Sequence, residues 1–326
     1  VGVIGTLSAV VIAIALLAAV VWQIGARSQR PRKIANAAAP EAAAAWQSIS
    51  FMSNGSRLEG WLLQPIEGAG AAGGLLPVVV VAHGWGSNRT RVLRYAHPLY
   101  KAGYAVFMYD ARSHGNSESI KAPSALMFRE DVTAAVDAAR LLPGIDPERV
   151  SVLGHSLGGF GAILALDQGM KVRSVITDSM PVRFETMMRS ELKRRKIPAF
   201  PLVYLIPTIW LLRSGISNEQ LRAASIPDVL AKRAGKGNFY IDRTPVLMIH
   251  SKGDDFISAE DLRRLEEQLP EGTIGTLFVS TEGHSSSEQE PAFWERVLPF
   301  LQETLQDGQA AASLEPLAAS SCGTDS

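Results

Sequence analysis

Apolar positions along this chain change period several times, and each change marks an element. Val1 to Ile24 is apolar at nearly every position, with Thr6, Ser8 and Gln23 the clearly polar members. That is longer than a buried helix or a signal-peptide core usually runs, and it meets the roughly 20 residues that a membrane span needs. Alternation takes over at Trp46–Met52 and Leu58–Leu63, on either side of Asn54-Gly55, and predicts a hairpin. After a Gly/Ala-rich loop at 68–74, Pro77 to Ala82 is continuously apolar, which suits a strand covered on both faces of a parallel sheet. Helical spacing runs from Val92 to Ala102, a strand from Tyr104 to Tyr109, and a helix from Ala125 to Leu142 with Phe128, Val132, Val136 and Ala139 on one face. Strands Val150–Leu153 and Val172–Thr177 flank a small-residue helix beginning near Phe160. Strands Pro245–His250 and Ile274–Val279 follow, with helices Ala259–Leu269 and Ala292–Leu305. Such alternation predicts an α/β fold with a mostly parallel, doubly wound sheet and an antiparallel start.

One stretch breaks the rhythm. Between Met180 and Thr244 the pattern gives helical or irregular pieces and no clear strand, between two central strands of the sheet. That place predicts a lid insertion at about 181–244, over the C-terminal edge. Its apolar piece, Phe200 to Leu212, is too short to span a membrane and reads as a cap helix, with an interfacial membrane helix as the alternative. The chain then divides into a transmembrane helix at 1–24, a juxtamembrane linker at 25–45, an α/β domain at 46–306 and a polar, disordered tail at 307–326. Arg27, Arg30, Arg32 and Lys33 follow the apolar run at once, so the positive-inside rule predicts a single-pass protein with its main domain in the cytoplasm. Small residues at Ala37-Ala38-Ala39 keep a cleaved signal peptide open as the alternative.

Composition narrows this picture only slightly. The 326 residues suffice for one large domain with attachments, and 47% of them are hydrophobic. A formal net charge of zero gives no global attraction to nucleic acid. The single cysteine, Cys322, excludes an internal disulfide framework and a cysteine-based metal site.

Candidate chemistry centres on Gly154-His155-Ser156-Leu157-Gly158-Gly159, between a strand and a helix. This is the pattern of a nucleophile elbow, a very tight turn that holds a serine hydroxyl clear of the sheet. A serine needs a base to take its proton in the transition state. Of the six histidines, His155 adjoins the serine and should point away from it. His83 and His250 sit at strand ends as structural groups or walls, His97 lies in a helix, and His114 lies in the loop after Tyr109. His284, in the loop after the last strand, is the predicted base. Asp254, in Gly253-Asp254-Asp255, is the predicted acid partner, with Asp255 and Asp178 as alternatives. The order Ser156, Asp254, His284 is that of the α/β architecture. For the oxyanion, the backbone amide of Leu157 is one predicted donor and that of Trp85, in His83-Gly84-Trp85-Gly86, the other.

Together with Tyr109-Asp110-Ala111-Arg112-Ser113-His114-Gly115 and Gly283-His284, these motifs resemble the α/β-hydrolase superfamily over roughly residues 46–305. They look most like its serine-hydrolase branch related to prolyl-oligopeptidase-type domains and to membrane-anchored bacterial members. The resemblance implies a Ser–His–acid triad, acyl transfer to water and no cofactor, with Asp110 and Arg112 bracing the loop near the oxyanion hole. The leading expectation is cleavage of an ester, thioester or amide in a small-molecule acyl substrate, which the apolar lid piece and the membrane helix predict to be lipophilic. A peptidase and a catalytically idle binding protein of the same fold are the alternatives. One departure is His250-Ser251, where such families often have His-Gly; it leaves the choice between Asp254 and Asp255 open.

Overall fold

The computed structural model describes residues 2–37, 45–65, 74–194, 196, 200–235 and 244–305. The predicted tail at 307–326 with Cys322, Ala38 and Ala39, and most of the Gly/Ala-rich loop lie outside the described residues.

The chain begins with α1 (Gly2–Ser28), followed by the hairpin β1 (Ala45–Ser53) and β2 (Ser56–Gln64). Asn54 and Gly55 turn the hairpin with positive φ at both positions. Next come β3 (Leu76–Ala82), α2 (Leu93–Lys101), β4 (Ala105–Tyr109), α3 (Met127–Arg140), β5 (Ile145–His155), α4 (Leu157–Asp167) and β6 (Ser174–Asp178). Among the described residues, four helices stand between β6 and the next strand: α5 (Phe184–Arg194), α6 (Leu202–Ser214), α7 (Asn218–Ala223) and α8 (Ile226–Gly235). The chain closes with β7 (Val246–Gly253), α9 (Ala259–Gln268), β8 (Gly275–Glu282) and α10 (Pro291–Leu305). The strands form one sheet of eight, in the order β1-β2-β4-β3-β5-β6-β7-β8. Pairings of β1 with β2 and of β2 with β4 are antiparallel; the rest are parallel.

Why β3 is apolar throughout is visible in its packing. Val78 and Val80 enter the core under α3 and α4, while Val79 and Val81 enter the core under α2 and α10. All four are fully buried, each worth roughly 1.5–3 kcal/mol of transfer free energy. The sheet is therefore covered on both faces, and β5 runs through its middle with Ser156 at its C-terminal end.

Most elements lie within two residues of the predicted ones, and the exceptions have physical causes. Helix α4 starts at Leu157, ahead of the predicted Phe160. Gly158 and Gly159 belong to its first turn, where a Cβ on Gly158 would run into the Ala82 carbonyl and one on Gly159 would lie 3.0 Å from Thr177 Cβ. Glycine here serves close helix–strand approach, not a loop. Strand β5 begins five residues before the predicted Val150, through a bulge opposite Leu76 and Val78 that the Pro147 segment disguises. Strands β7 and β8 each run three residues beyond the predicted ends, carrying the loops of Asp254 and His284 outward.

The predicted boundary at residue 24 is also displaced. Helix α1 continues to Ser28, and its last turn packs on α6. Beyond it, residues 34–37 are bonded to the domain: Asn88 Nδ2 donates to the Ile34 carbonyl at 3.0 Å and Asn36 Nδ2 to Asp110 at 2.7 Å. Among the described residues, α1 is the one helix long and apolar enough to cross a membrane, with a mean hydropathy of 2.7.

Candidate active site

Strand β5 delivers Ser156 into a turn so tight that its backbone sits at φ 53°, ψ −123°. A non-glycine residue holds that conformation only where its surroundings enforce it. Gly84, leaving β3, is part of the enforcement: a Cβ there would lie 2.7 Å from Ser156 Cβ. The hydroxyl is held at the start of α4, where the Leu157 amide has no partner within the helix.

Two further loops converge on it. His284 Nε2 is 3.0 Å from Ser156 Oγ, and its Nδ1 is 2.7 Å from Asp254 Oδ2. The loops carrying Asp254 and His284 are joined, since Gly283 N–H donates to the Gly253 carbonyl at 2.8 Å. Ser251, the departure from His-Gly, bonds through its hydroxyl to the Thr281 carbonyl and so stitches β7 to β8. The alternative acids stand elsewhere. Asp255 is exposed at the rim. Asp178 is buried at the end of β6, accepting from the Tyr95 hydroxyl at 2.5 Å and the Ser179 hydroxyl at 3.1 Å.

The Asp254 side chain is buried, which alone would push its carboxyl up. Hydrogen bonds from His250 and His284 and from the Ile257 amide outweigh that, holding it well below the ordinary carboxylate range. Its Oδ1 accepts from the Phe256 and Ile257 amides at 2.9 Å each. The carboxylate therefore stays ionised beside His284.

The loop carrying Trp85 is braced from behind. Trp85 lays its indole against His114 and Phe128, with ring centroids 5.5 and 6.4 Å away. Gly86 N–H donates to His114 Nε2 at 3.0 Å, and Ala111 N–H to His83 Nε2 at 3.0 Å. Asp110 accepts from the Arg89 backbone at 2.7 Å and its guanidinium at 2.8 Å, just past the same loop. Arg112 instead bonds Asp131 of α3 at 2.6 Å.

A cavity of about 1460 Å³ opens over Ser156 and His284. Its floor is the sheet edge; its walls include Met187, Met188, Trp210, Leu211 and Ile216 of the segment between β6 and β7. Among the described residues, no group of three His, Cys, Asp or Glu is placed to hold a metal ion.

A family model described as the alpha/beta hydrolase family matches residues 79–297, well over half of the chain. The chain belongs to the alpha/beta hydrolase family. Within and around that family, the Escherichia coli O157:H7 protein YfhR is 25% identical over 255 residues, which cover 74% of this chain and 78% of its own. The quorum-quenching protein AidA of Acinetobacter baumannii is 35% identical over 122 residues, 36% of this chain and 38% of that one. Among solved structures, the Pyrococcus furiosus esterase Pf2001 superposes with a TM-score of 0.64 at 18% identity, over 85% of this chain and 100% of that one.

Sequence reasoning passed over two residues of this site. His250, expected as a structural hydrogen-bonder or wall, bonds the Ile257 carbonyl through Nε2 at 2.9 Å and also lies 3.3 Å from Asp254 Oδ2. Its place four residues before Asp254 was the available signal. His155 does not simply point away: its Nε2 bonds the His284 carbonyl oxygen at 2.9 Å, behind the imidazole that faces Ser156. Burial first, then the Arg94 and His284 charges, hold His155 well below the ordinary imidazole range, so it is neutral.

Proposed function

We propose that the chain is a serine hydrolase that cleaves a carboxylic ester, thioester or amide through an acyl-enzyme on Ser156. One observation carries the reading: Ser156 Oγ, His284 and Asp254 form an unbroken hydrogen-bonded series of 3.0 and 2.7 Å at a strained elbow. His284 Nε2 takes the hydroxyl proton as Oγ attacks the acyl carbon. Asp254, ionised and fixed by four donors, holds the imidazole tautomer and steadies the imidazolium that forms. The Leu157 and Trp85 amides receive the oxyanion, each worth about 3 kcal/mol in the transition state. Collapse returns the proton from His284 to the leaving group, and water repeats the sequence to free the acid and Ser156.

Apolar walls from Met187, Met188 and Leu211 favour a lipophilic acyl group. The helices α5 to α8 act as the lid, and the esterase among the structural neighbours supports ester cleavage. We place α1 in a membrane and, because exposed Arg27, Arg30, Arg32 and Lys33 follow its apolar run, the domain in the cytoplasm. Four hydrogen bonds of Ser28 and Gln29 with α6, and the packing of Ile24 against it, support a helix that is retained, not cleaved.

Labelling with a fluorophosphonate tests the chemistry. The full chain should label and Ser156→Ala should not. Absence of labelling in both overturns the reading in favour of an inert protein of this fold.

A further inference from the structure

Helix α6 has two faces with different surroundings. Val203 and Ile206 pack against Met188 and Leu192 of α5, and Pro207, Trp210 and Leu211 line the cavity over Ser156. The opposite face is exposed, with the Arg189 guanidinium of α5 bonded to the Tyr204 side chain. Pro201, Tyr204, Leu205, Thr208 and Leu212 are all exposed at helical spacing, preceded by exposed Phe200. Such a contiguous apolar stripe on a domain surface needs an occupant.

Its neighbour indicates which. Helices α1 and α6 run parallel in contact. Ile24 packs on the Val203–Ile206 cluster, a Cβ on Gly25 would meet Ile209 Cγ2 at 2.8 Å, and Trp210 Nε1 donates to the Gly25 carbonyl at 2.9 Å. One turn on, Arg213 Nε donates to Gln29 Oε1 at 2.8 Å and Gln29 Nε2 to Ser214 Oγ at 2.8 Å. Following this register back toward the N-terminus sets Leu205 and Tyr204 level with Val21 and Val20, inside the apolar run. Depth along the two helices is shared at a common 1.5 Å rise per residue. The C-terminal ends match as well: Arg213 lies level with Gln29, at the start of Arg30, Arg32 and Lys33, while at the other end exposed Lys193, Arg194 and Lys196 precede Phe200. Exposed Trp22 and Tyr204 stand near the boundary, the place amphipathic aromatics take between hydrocarbon and headgroups.

We propose that the first turns of α6, with Phe200, Tyr204 and Leu205, are seated in the membrane that α1 crosses, making α6 a wall shared by the cavity and the lipid. Resting on the serine-hydrolase reading, this names the substrate class: an acyl chain drawn from the bilayer, not from water. Seating by an apolar helix face beside basic residues follows the ordinary physics of interfacial helices.

The test uses the full chain with Cys322→Ser, reconstituted in phosphatidylcholine–phosphatidylglycerol vesicles. Single cysteines replace Tyr204, Leu205 or, as control, exposed Glu219 of α7, and carry an environment-sensitive fluorophore. Nitroxide-labelled lipids should quench the probes at 204 and 205 and leave 219 in water. Quenching at all three sites, or at none, overturns the seating. This readout needs no catalysis, so an inert chain fails the labelling test above without touching it. In an active chain, Tyr204→Asp with Leu205→Asp should lower hydrolysis of a vesicle-embedded long-chain ester about tenfold and leave a soluble short-chain ester unchanged. Equal effects on both esters overturn the bilayer route.

Discussion

At the scale of single residues, the sharpest question is how Asp254 is held. Two backbone amides engage one oxygen, while the other faces both His284 and His250. If Asp254 serves His284 as proposed, His250 is a positioning residue, its Nε2 proton shared between the Ile257 carbonyl and the carboxylate. Replacing it by Phe keeps the ring volume and removes the donor. We expect kcat on a soluble ester to fall about tenfold with KM unchanged, since binding contacts stay intact. A purely structural role would change stability and leave kcat alone. Removing the negative charge itself costs more: Asp254→Asn should lower kcat by about 10³–10⁴-fold, while Asp255→Asn should stay within about twofold. A comparable loss at Asp255 would show the acid to be the exposed neighbour.

At the scale of elements, the contact of α1 with α6 depends on Gly25, the point of closest approach. Gly25→Val should force the helices apart and cost about 1–3 kcal/mol of local packing. Trypsin cleavage after Arg213 should then accelerate, and Ile209→Ala should slow it again by restoring the space. Unchanged cleavage would mean that α1 does not rest on α6. This contact also shows where the sequence stopped being legible. The valines of β3 and the spaced glycines of the elbow announce themselves locally, because two covered faces and a tight turn each demand particular residue types. Asp254 and His284 were legible for a related reason: each follows a strand whose end points to the same sheet edge. The α1–α6 pairing joins residues nearly the length of the domain apart, so no local period encodes it. The helices between β6 and β7 were recognisable as helical, but their packing on one another is tertiary. His250 was legible as a structural hydrogen-bonder, but its approach to Asp254 depends on how the chain turns after β7.

At the scale of the whole molecule, the C-terminal edge of the sheet concentrates buried imidazoles, and this makes stability depend on pH. His83, His114 and His155 are all buried, and burial is the largest cause depressing each of them. For His114, burial and the nearby His83 lower the value from 6.5 to about 3. In the unfolded chain each would titrate near its ordinary 6.5. Between those values the unfolded state carries a proton that the folded state refuses. Their contribution is therefore complete above about pH 6.5 and declines as pH falls, by about 1.4 kcal/mol per unit for each histidine kept neutral. Asp254 works in another window: its depressed carboxyl contributes above about pH 4 and is lost only below that. Denaturant titrations of the full chain in micelles at pH 7.5, 6.5, 5.5 and 5 should thus show stability falling from pH 6.5 downward. His114→Gln, which keeps an acceptor for Gly86 and a donor for the Arg112 carbonyl, should reduce that slope by about one proton. An unchanged slope would mean that His114 is protonated in the fold, and the brace behind Trp85 would then carry a charge the geometry does not accommodate.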